Sequence, residues 1–382
     1  MKKLLLLLPV IFLVIIFFVF FRPQKSLPLI APLLSLTDQP TPLPTSTYQV
    51  YGFLPYWTAS SAQLPSQLTT ISFFSLPIQP DGHIIDPAQD TDPGARSVAK
   101  GELSTLKQTG KHIELTLTMM DQDGIEQFVS NSNAGNTLLT DLGHLMTQYP
   151  IDGADLDIEY VRTPTPAMQQ AFSSILHTVY AGVKKQNSAF QLSIAMLSDS
   201  GEHERLTAPN LVAPYIDRAV VMAYDYHRKG STQSGANAPL YGNSETAWGK
   251  NIMSGLKGIT DAIPPQKILL GIPFYGYQWG VDGTDIVNFT LPQSGKTVTY
   301  EQIQELLSTG KATRFFDQTS LSPYILYTKN GVQQQIYYDD TQSIGYKLDL
   351  VRDAHLGGIA IWALGFEGQT HELWNEIQEK LQ

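Results

Sequence analysis

From Tyr48 onward, short runs rich in β-branched and aromatic residues alternate with longer segments whose apolar positions recur every third or fourth residue. The first pattern predicts strands and the second amphipathic helices. Eight strand-like runs stand out: Tyr48 to Tyr56, Thr69 to Leu76, His112 to Met119, Gly153 to Glu159, Gln191 to Leu197, Arg218 to Tyr226, Lys267 to Tyr275 and Gly358 to Leu364. Segments such as Ala167 to Gln186 and Thr341 to His355 supply helices between them. Strands separated by helices pair in parallel, and eight such units predict a closed (β/α)8 TIM barrel. An open, doubly wound sheet would need a glycine-rich phosphate loop after its first strand, and Tyr51-Gly52-Phe53-Leu54-Pro55-Tyr56-Trp57 is not one.

Between the seventh and eighth runs the rhythm changes. Residues 280–338 hold the strand-like pieces Lys296 to Tyr300, Arg314 to Asp317, Tyr324 to Thr328 and Gln335 to Tyr338, with a helical Glu301 to Leu307. This predicts a small α+β insertion at the barrel's catalytic face, leaving the barrel itself to residues 48–279 and 339–382. Ahead of the barrel, Leu4 to Phe21 is unbroken by any polar residue, with Lys2 and Lys3 before it and Arg22 after it. Such a run is long enough to span a bilayer. No small-x-small cleavage site follows Phe21, so residues 1–22 read as an uncleaved transmembrane anchor, a removed secretory signal being the other reading. Residues 23–47 carry six prolines among Ser and Thr, the composition of a semi-rigid extended spacer. The expected arrangement is a single-pass protein of the cell membrane with its barrel extracytoplasmic, or a secreted barrel if the leader is cleaved.

Composition narrows the chemistry. A formal net charge of -10 without any Lys/Arg cluster argues against a nucleic-acid partner. The absence of cysteine excludes disulfides, thiolate metal sites and thiol nucleophiles. The histidines form no H-E-x-x-H pair, Gly-x-Ser-x-Gly is absent, and Ser294-Gly-Lys-Thr297 lacks the earlier glycine of a phosphate loop. No metal and no cofactor is implied.

Within the fourth run, Asp152-Gly-Ala-Asp155-Leu-Asp157-Ile-Glu159, four acids fall in eight positions. Side chains on a strand alternate, so Asp155, Asp157 and Glu159 share one face, roughly 6.6 Å apart at the backbone. Asp152 has the opposite parity and is read as structural. Charged groups are rarely buried without a partner, and three together cannot all ionise easily; at least one should hold a proton near neutral pH. A protonated carboxyl beside a second one is what glycosidic cleavage requires, because the leaving oxygen must be protonated as it departs. The competing readings are an acid-rich strand end facing solvent and an oxygen-ligand metal site, and the apolar alternation argues against a flexible metal loop.

These residues match the D-G-x-D-x-D-x-E signature, and the chain resembles glycoside hydrolase family 18, the chitinase and endo-β-N-acetylglucosaminidase family. Met222-Ala-Tyr224-Asp225 resembles the family's M-x-Y-D on the sixth strand, and Ala236-Asn-Ala-Pro-Leu-Tyr241 the loop after it. Gly271-Ile-Pro-Phe-Tyr-Gly276 and Gly358-Ile-Ala-Ile-Trp362-Ala-Leu-Gly365 resemble the seventh and eighth strands. By that resemblance Glu159 would be the general acid and base, Asp157 would orient the substrate's acetamide, and Asp155 would share a proton with Asp157. Tyr224 would donate to the acetamide oxygen, while Met222, Asp225, Tyr275 and Trp362 would line the sugar site. The implied activity is substrate-assisted, retaining cleavage of β-1,4 links at N-acetylglucosamine in peptidoglycan, a chitin-like polymer or an N-glycan. The alternative is a lectin-like member that binds glycan without cutting it.

Trp57 and Trp279 fall at or beyond strand ends, where flat faces suit pyranose rings, and are taken as further sugar contacts; Trp374 is assigned to the core. The chain departs from the family pattern in two places. The third run ends Thr118-Met119-Met120 where the family has S-x-G-G, so both methionines are expected to fill the cleft floor. Tyr277-Gln278-Trp279 stands where Arg-x-Trp is familiar.

Overall fold

A computed structural model describes residues 48–242 and 249–382. The expected anchor at 1–22 and spacer at 23–47 lie outside the described residues. Among the described residues, no helix is long and apolar enough to cross a membrane.

Eight parallel strands close into a barrel. They are β1 (Gln49–Pro55), β2 (Thr70–Pro77), β3 (His112–Met119), β4 (Gly153–Ile158), β5 (Gln191–Leu197), β6 (Arg218–Met222), β7 (Ile268–Pro273) and, after the five strands described next, β13 (Gly358–Trp362). Between β7 and β13 the chain forms β8 (Tyr275–Val281), β9 (Lys296–Thr299), β10 (Thr313–Asp317), β11 (Ser322–Lys329) and β12 (Val332–Tyr337), an antiparallel sheet in the order β10-β11-β12-β8-β9. Around the barrel the order is β1-β13-β7-β6-β5-β4-β3-β2, which sets β13 diametrically across from β4.

Alternation divides each barrel strand between two environments. On β4, Ala154, Leu156 and Ile158 face outward into the apolar layer shared with Phe172, Leu176 and Val179 of the helix Pro166–Gln186. That helix starts where Thr165 accepts a hydrogen bond from the Met168 N–H and Pro166 occupies the first turn. Each such buried aliphatic or aromatic side chain stabilises the fold by about 1.5–3 kcal/mol. The other face of β4 points into the barrel, where polar groups are unusually frequent.

At the N-terminal end of the barrel, Glu114 is fully buried and Arg218 nearly so. The Arg218 guanidinium donates to Glu114 Oε1, and its Nη1 donates to Gln49 Oε1 at 3.1 Å. The Tyr51 hydroxyl donates to Glu114 Oε2 at 3.0 Å, and His112 Nε2 lies 3.2 Å from Oε1. Burial by itself would raise the proton affinity of Glu114, but Arg218 and His112 outweigh it and hold the carboxyl below its ordinary value. Gly153 is bare for this reason: a Cβ there would lie 2.7 Å from Glu114 Oε1. Above the pair, Ser72 and Thr116 share a 2.7 Å hydrogen bond and Ser75 and Thr118 one of 3.1 Å.

Three local expectations are corrected. The run Arg218 to Tyr226 stops being strand at Met222, because the chain turns there, with the Ala223 N–H donating to the Val221 carbonyl and Asp225 left-handed at φ 66°. The run Lys267 to Tyr275 is divided: the Phe274 N–H donates to the Trp362 carbonyl, and Tyr275 already belongs to β8 in the second sheet. Met119 does not enter the cleft; it lies on the outward parity of β3, buried in the apolar layer, and Met120 alone is exposed at the strand's end.

Candidate active site at the barrel mouth

β4 brings Asp155 and Asp157 into the barrel interior and ends just before Glu159. Asp155 is completely buried, Asp157 is 6% exposed, and Glu159 is half-buried at the opening. Their order along the axis follows from the register, in which Thr116 pairs with Asp155 and Thr118 with Asp157. The backbone of Glu159 is held at both ends, its N–H donating to the Met119 carbonyl at 3.0 Å and its carbonyl accepting from Gln122 Nε2 at 2.8 Å.

Among the described residues, neither carboxyl oxygen of Asp155 nor Oδ1 of Asp157 has a hydrogen-bond partner. A buried carboxylate without donors is costly, so the neutral acid is favoured. Burial, reinforced by the charge of Glu114 and opposed by Arg218, pushes Asp155 up to about 8. Asp157 is also raised well above the carboxylate range, by burial first and then by Glu159 and Asp155. Glu159 is raised by burial; Arg228 opposes the shift and Asp225 adds to it. The column can therefore hold protons at neutral pH and expose one acid to the opening.

Tyr224 and Asp225 follow β6. Burial keeps the Tyr224 phenol neutral, a hydrogen-bond donor rather than a phenolate. Its ring lies against Gly271, where a Cβ would come within 2.9 Å of Cε1. Asp225 adopts a left-handed backbone, which Asp tolerates better than most residues and which often marks functional positions. Its N–H donates to Asn237 Oδ1 at 2.9 Å, and its Oδ1 accepts the hydroxyls of Tyr275 and, at 2.9 Å, Tyr277. Asn237 Nδ2 then donates to the Tyr275 carbonyl at 3.1 Å, tying the loop after β6 to β8. Tyr275 is buried, its ring 6.0 Å from that of Tyr224 and its hydroxyl on the Asp225 carboxylate.

Facing β4 across the barrel, Trp362 ends β13. Its ring packs edge-on to Phe74 at 4.7 Å and near Phe53 at 5.7 Å. Trp57, half exposed, continues this wall through an edge contact with Phe74 at 6.1 Å. Met222 is half-buried on the inward parity of β6. Trp279 is the exception among the expected sugar contacts: it is fully buried in the apolar cluster on the second sheet with Tyr277 and Tyr337, and its indole N–H donates to the Arg228 carbonyl at 3.2 Å. No face of that ring is available to a ligand. Trp374 is buried too, with its N–H on Glu367.

Asp152 lies away from the mouth, paired with Lys107 and accepting the Ile113 N–H at 2.9 Å. Among the described residues, no three His, Asp or Glu side chains are gathered as a metal ion would need. Tyr277, Asn237 and the Glu114–Arg218 pair carry no role of their own in the sequence-based expectations. Tyr277 shares its strand parity with Tyr275, and Glu114 shares its own with Thr116 and Thr118, so period-two spacing carried a signal for both.

The family model described as Glycosyl hydrolases family 18 matches residues 49–367. Chitinase A1 of Niallia circulans is 24% identical over 315 residues, covering 73% of this chain and 44% of that protein. The cortical fragment-lytic enzyme of Bacillus cereus is 21% identical over 315 residues, covering 78% of this chain and 65% of its own length. The chain thus spans less than two thirds of either relative. In three dimensions, the family 18 chitinase of Cycas revoluta in complex with (GlcNAc)3 aligns with a TM-score of 0.75 at 21% identity, over 87% of this chain and 99% of that one, a likeness of fold. With the family's sequence model matched across all eight barrel strands and the fold shared, the chain belongs to glycosyl hydrolase family 18.

Proposed function

We propose that the chain is a retaining glycosidase that cleaves β-1,4 links beside N-acetylglucosamine in peptidoglycan, a chitin-like polymer or an N-glycan. The observation that carries this reading is the column Asp155, Asp157 and Glu159, buried in proportion to depth and raised in proton affinity, opening opposite the aromatic wall of Trp362 and Phe74. The sugar's 2-acetamido oxygen attacks the anomeric carbon as the glycosidic bond breaks and Glu159 passes its proton to the departing oxygen. Asp157 faces the acetamide nitrogen as positive charge builds there, and the neutral Tyr224 hydroxyl donates to the attacking oxygen, holding it near attack geometry. Glu159, now a carboxylate, accepts a proton from the water that opens the cyclic intermediate. Asp225, braced by Tyr275 and Tyr277, binds the same sugar, and Trp362 lies under its apolar face.

Relatives named as a chitinase and as a cortical fragment-lytic enzyme support a GlcNAc-containing substrate. The apolar run Leu4 to Phe21 supports a barrel tethered outside the cell membrane by residues 1–22 and spaced from it by residues 23–47. The direct test is Glu159→Gln. Turnover of a chito-oligosaccharide should fall by roughly 10²–10⁴-fold, with its dissociation constant, read by calorimetry, within a few-fold of wild type. Undiminished turnover would remove Glu159 from the mechanism.

A further inference from the structure

Three residues beyond Asp225, on the same loop at the mouth, the side chain of Arg228 is held in an unusual way. Its carbonyl accepts the Trp279 indole N–H at 3.2 Å, and its Nε donates to the Asp225 carbonyl at 3.1 Å. Both ends of the stem are thereby fixed, and with Nε fixed the plane of the guanidinium is constrained. Its ion pairing is slight. The nearest carboxylate oxygen, Asp225 Oδ2, is 4.0 Å from Nε, and the Asp225 carboxylate already receives two tyrosine hydroxyls on Oδ1. Among the described residues, neither Nη atom has a hydrogen-bond partner, and the side chain is 59% exposed. The loop thus presents a pre-oriented guanidinium whose Nη donors lack hydrogen-bond partners among the described residues, at the edge of the acid-lined opening. The guanidinium is also near enough to Glu159 to oppose the upward shift of that acid.

An opening lined by Asp155, Asp157, Glu159 and Asp225 has no electrostatic need of a cation to admit a neutral sugar, since the two deeper acids hold protons. A glycan that itself carries carboxylates brings negative charge to this opening, beside the Asp225 carboxylate, and a fixed positive group at the edge would receive it. A planar fork matches a carboxylate in two parallel hydrogen bonds, a geometry that a flexible ammonium does not reproduce.

We infer that Arg228 receives a carboxylate of the substrate, so that the preferred polymer is a GlcNAc-containing glycan bearing acidic substituents, such as lactyl ethers on its sugars, rather than a neutral homopolymer. This rests on the glycosidase reading above.

The test compares the full chain and its Arg228→Ala and Arg228→Lys variants on three probes: chitohexaose, wall glycan strands stripped of peptide so that their lactyl carboxylates are free, and the same strands with those carboxylates converted to amides. Wild type should cleave the carboxylate strands with a kcat/KM about tenfold above the amidated ones, the ratio produced by one favourable charge-assisted contact of about 1.4 kcal/mol. Arg228→Ala should bring that ratio close to one, and Arg228→Lys should keep only part of it, the part more sensitive to salt. Equal wild-type rates on the two kinds of strand would overturn the inference while leaving the glycosidase reading standing. A fall by the same factor on both strands in Arg228→Ala would overturn it too, placing Arg228 in the support of Glu159 and Asp225. Failure of the wild type on all three probes would overturn this inference, together with the chitin-like and peptidoglycan branches of the glycosidase reading, and would leave only its N-glycan branch standing.

Discussion

Replacing Asp155 with asparagine isolates the thermodynamic cost of the carboxyl column. Asp155 is completely buried, its oxygens accept no hydrogen bond among the described residues, and its proton affinity is raised to about 8 by burial and then by Glu114. In the unfolded chain an aspartate titrates near about 3.9. The folded value lies above the unfolded one, so the native state keeps a proton that the unfolded state releases. The contribution of this group to stability is therefore full below about pH 4 and declines as pH rises toward 8. At pH 7 the difference spans about three pH units at about 1.4 kcal/mol each, a cost on the order of 4 kcal/mol. Asparagine keeps the shape and has no charge to desolvate. The variant should therefore gain on wild type as pH rises. At about 2 °C per kcal/mol for a unit of this size, its melting temperature should exceed that of wild type by roughly 8 °C at pH 7, the excess shrinking to nothing near pH 4. Calorimetry or dye-monitored melting at pH 4, 5.5 and 7 reads this directly, and hydrolysis should be crippled in the same variant. A difference in melting temperature that stays constant over this range would refute the claim that Asp155 carries a proton in the folded protein.

Two further outcomes follow from the placement of the aromatic residues and from the N-terminal segment. Trp57→Ala should raise KM or weaken oligosaccharide binding with little change in melting temperature, since half of the ring is exposed, whereas Trp279→Ala should cost about 3–5 kcal/mol of stability through the cavity left under the second sheet; paired melts and binding curves distinguish the two, and the opposite pattern would reverse their assignment. The full chain should fractionate with membranes and resist extraction by salt, while a fragment beginning at Thr47 should be soluble; a full chain found wholly in the soluble fraction at its unprocessed mass would contradict the anchor.

Much of the barrel was readable because a half-buried strand writes its environment into alternate residues. Period two gave Asp155, Asp157 and Glu159 one face and set Asp152 on the other. In the structure the first two enter the barrel, Glu159 sits at the mouth, and Asp152 pairs with Lys107. What alternation does not encode is which strand lies on which neighbour. Tyr275, Tyr277 and Trp279 share a face of β8, but whether that face meets solvent depends on β12, whose Gln335 pairs with Trp279 from more than fifty residues away. Alternation and strand-end position alone therefore point Trp279 to the cleft, although pairing buries it. The end of β6 escapes local composition for a related reason: Tyr224 to Tyr226 have strand-like composition, but the turn is fixed by Asn237 from the next loop and by the left-handed Asp225. Glu114 and Arg218 read as ordinary polar positions until closure of the barrel brought β3 and β6 to one interior.

Retention through the substrate's acetamide is the central chemical claim, and the configuration of the first product tests it most directly. Proton NMR spectra of a chito-oligosaccharide digest, recorded within the first minutes before mutarotation, should show the newly formed reducing end as the β-anomer, and the same oligosaccharide with free amines in place of its acetamides should not be cut. An initial α-anomer, or rapid cleavage of the de-N-acetylated substrate, would contradict the account.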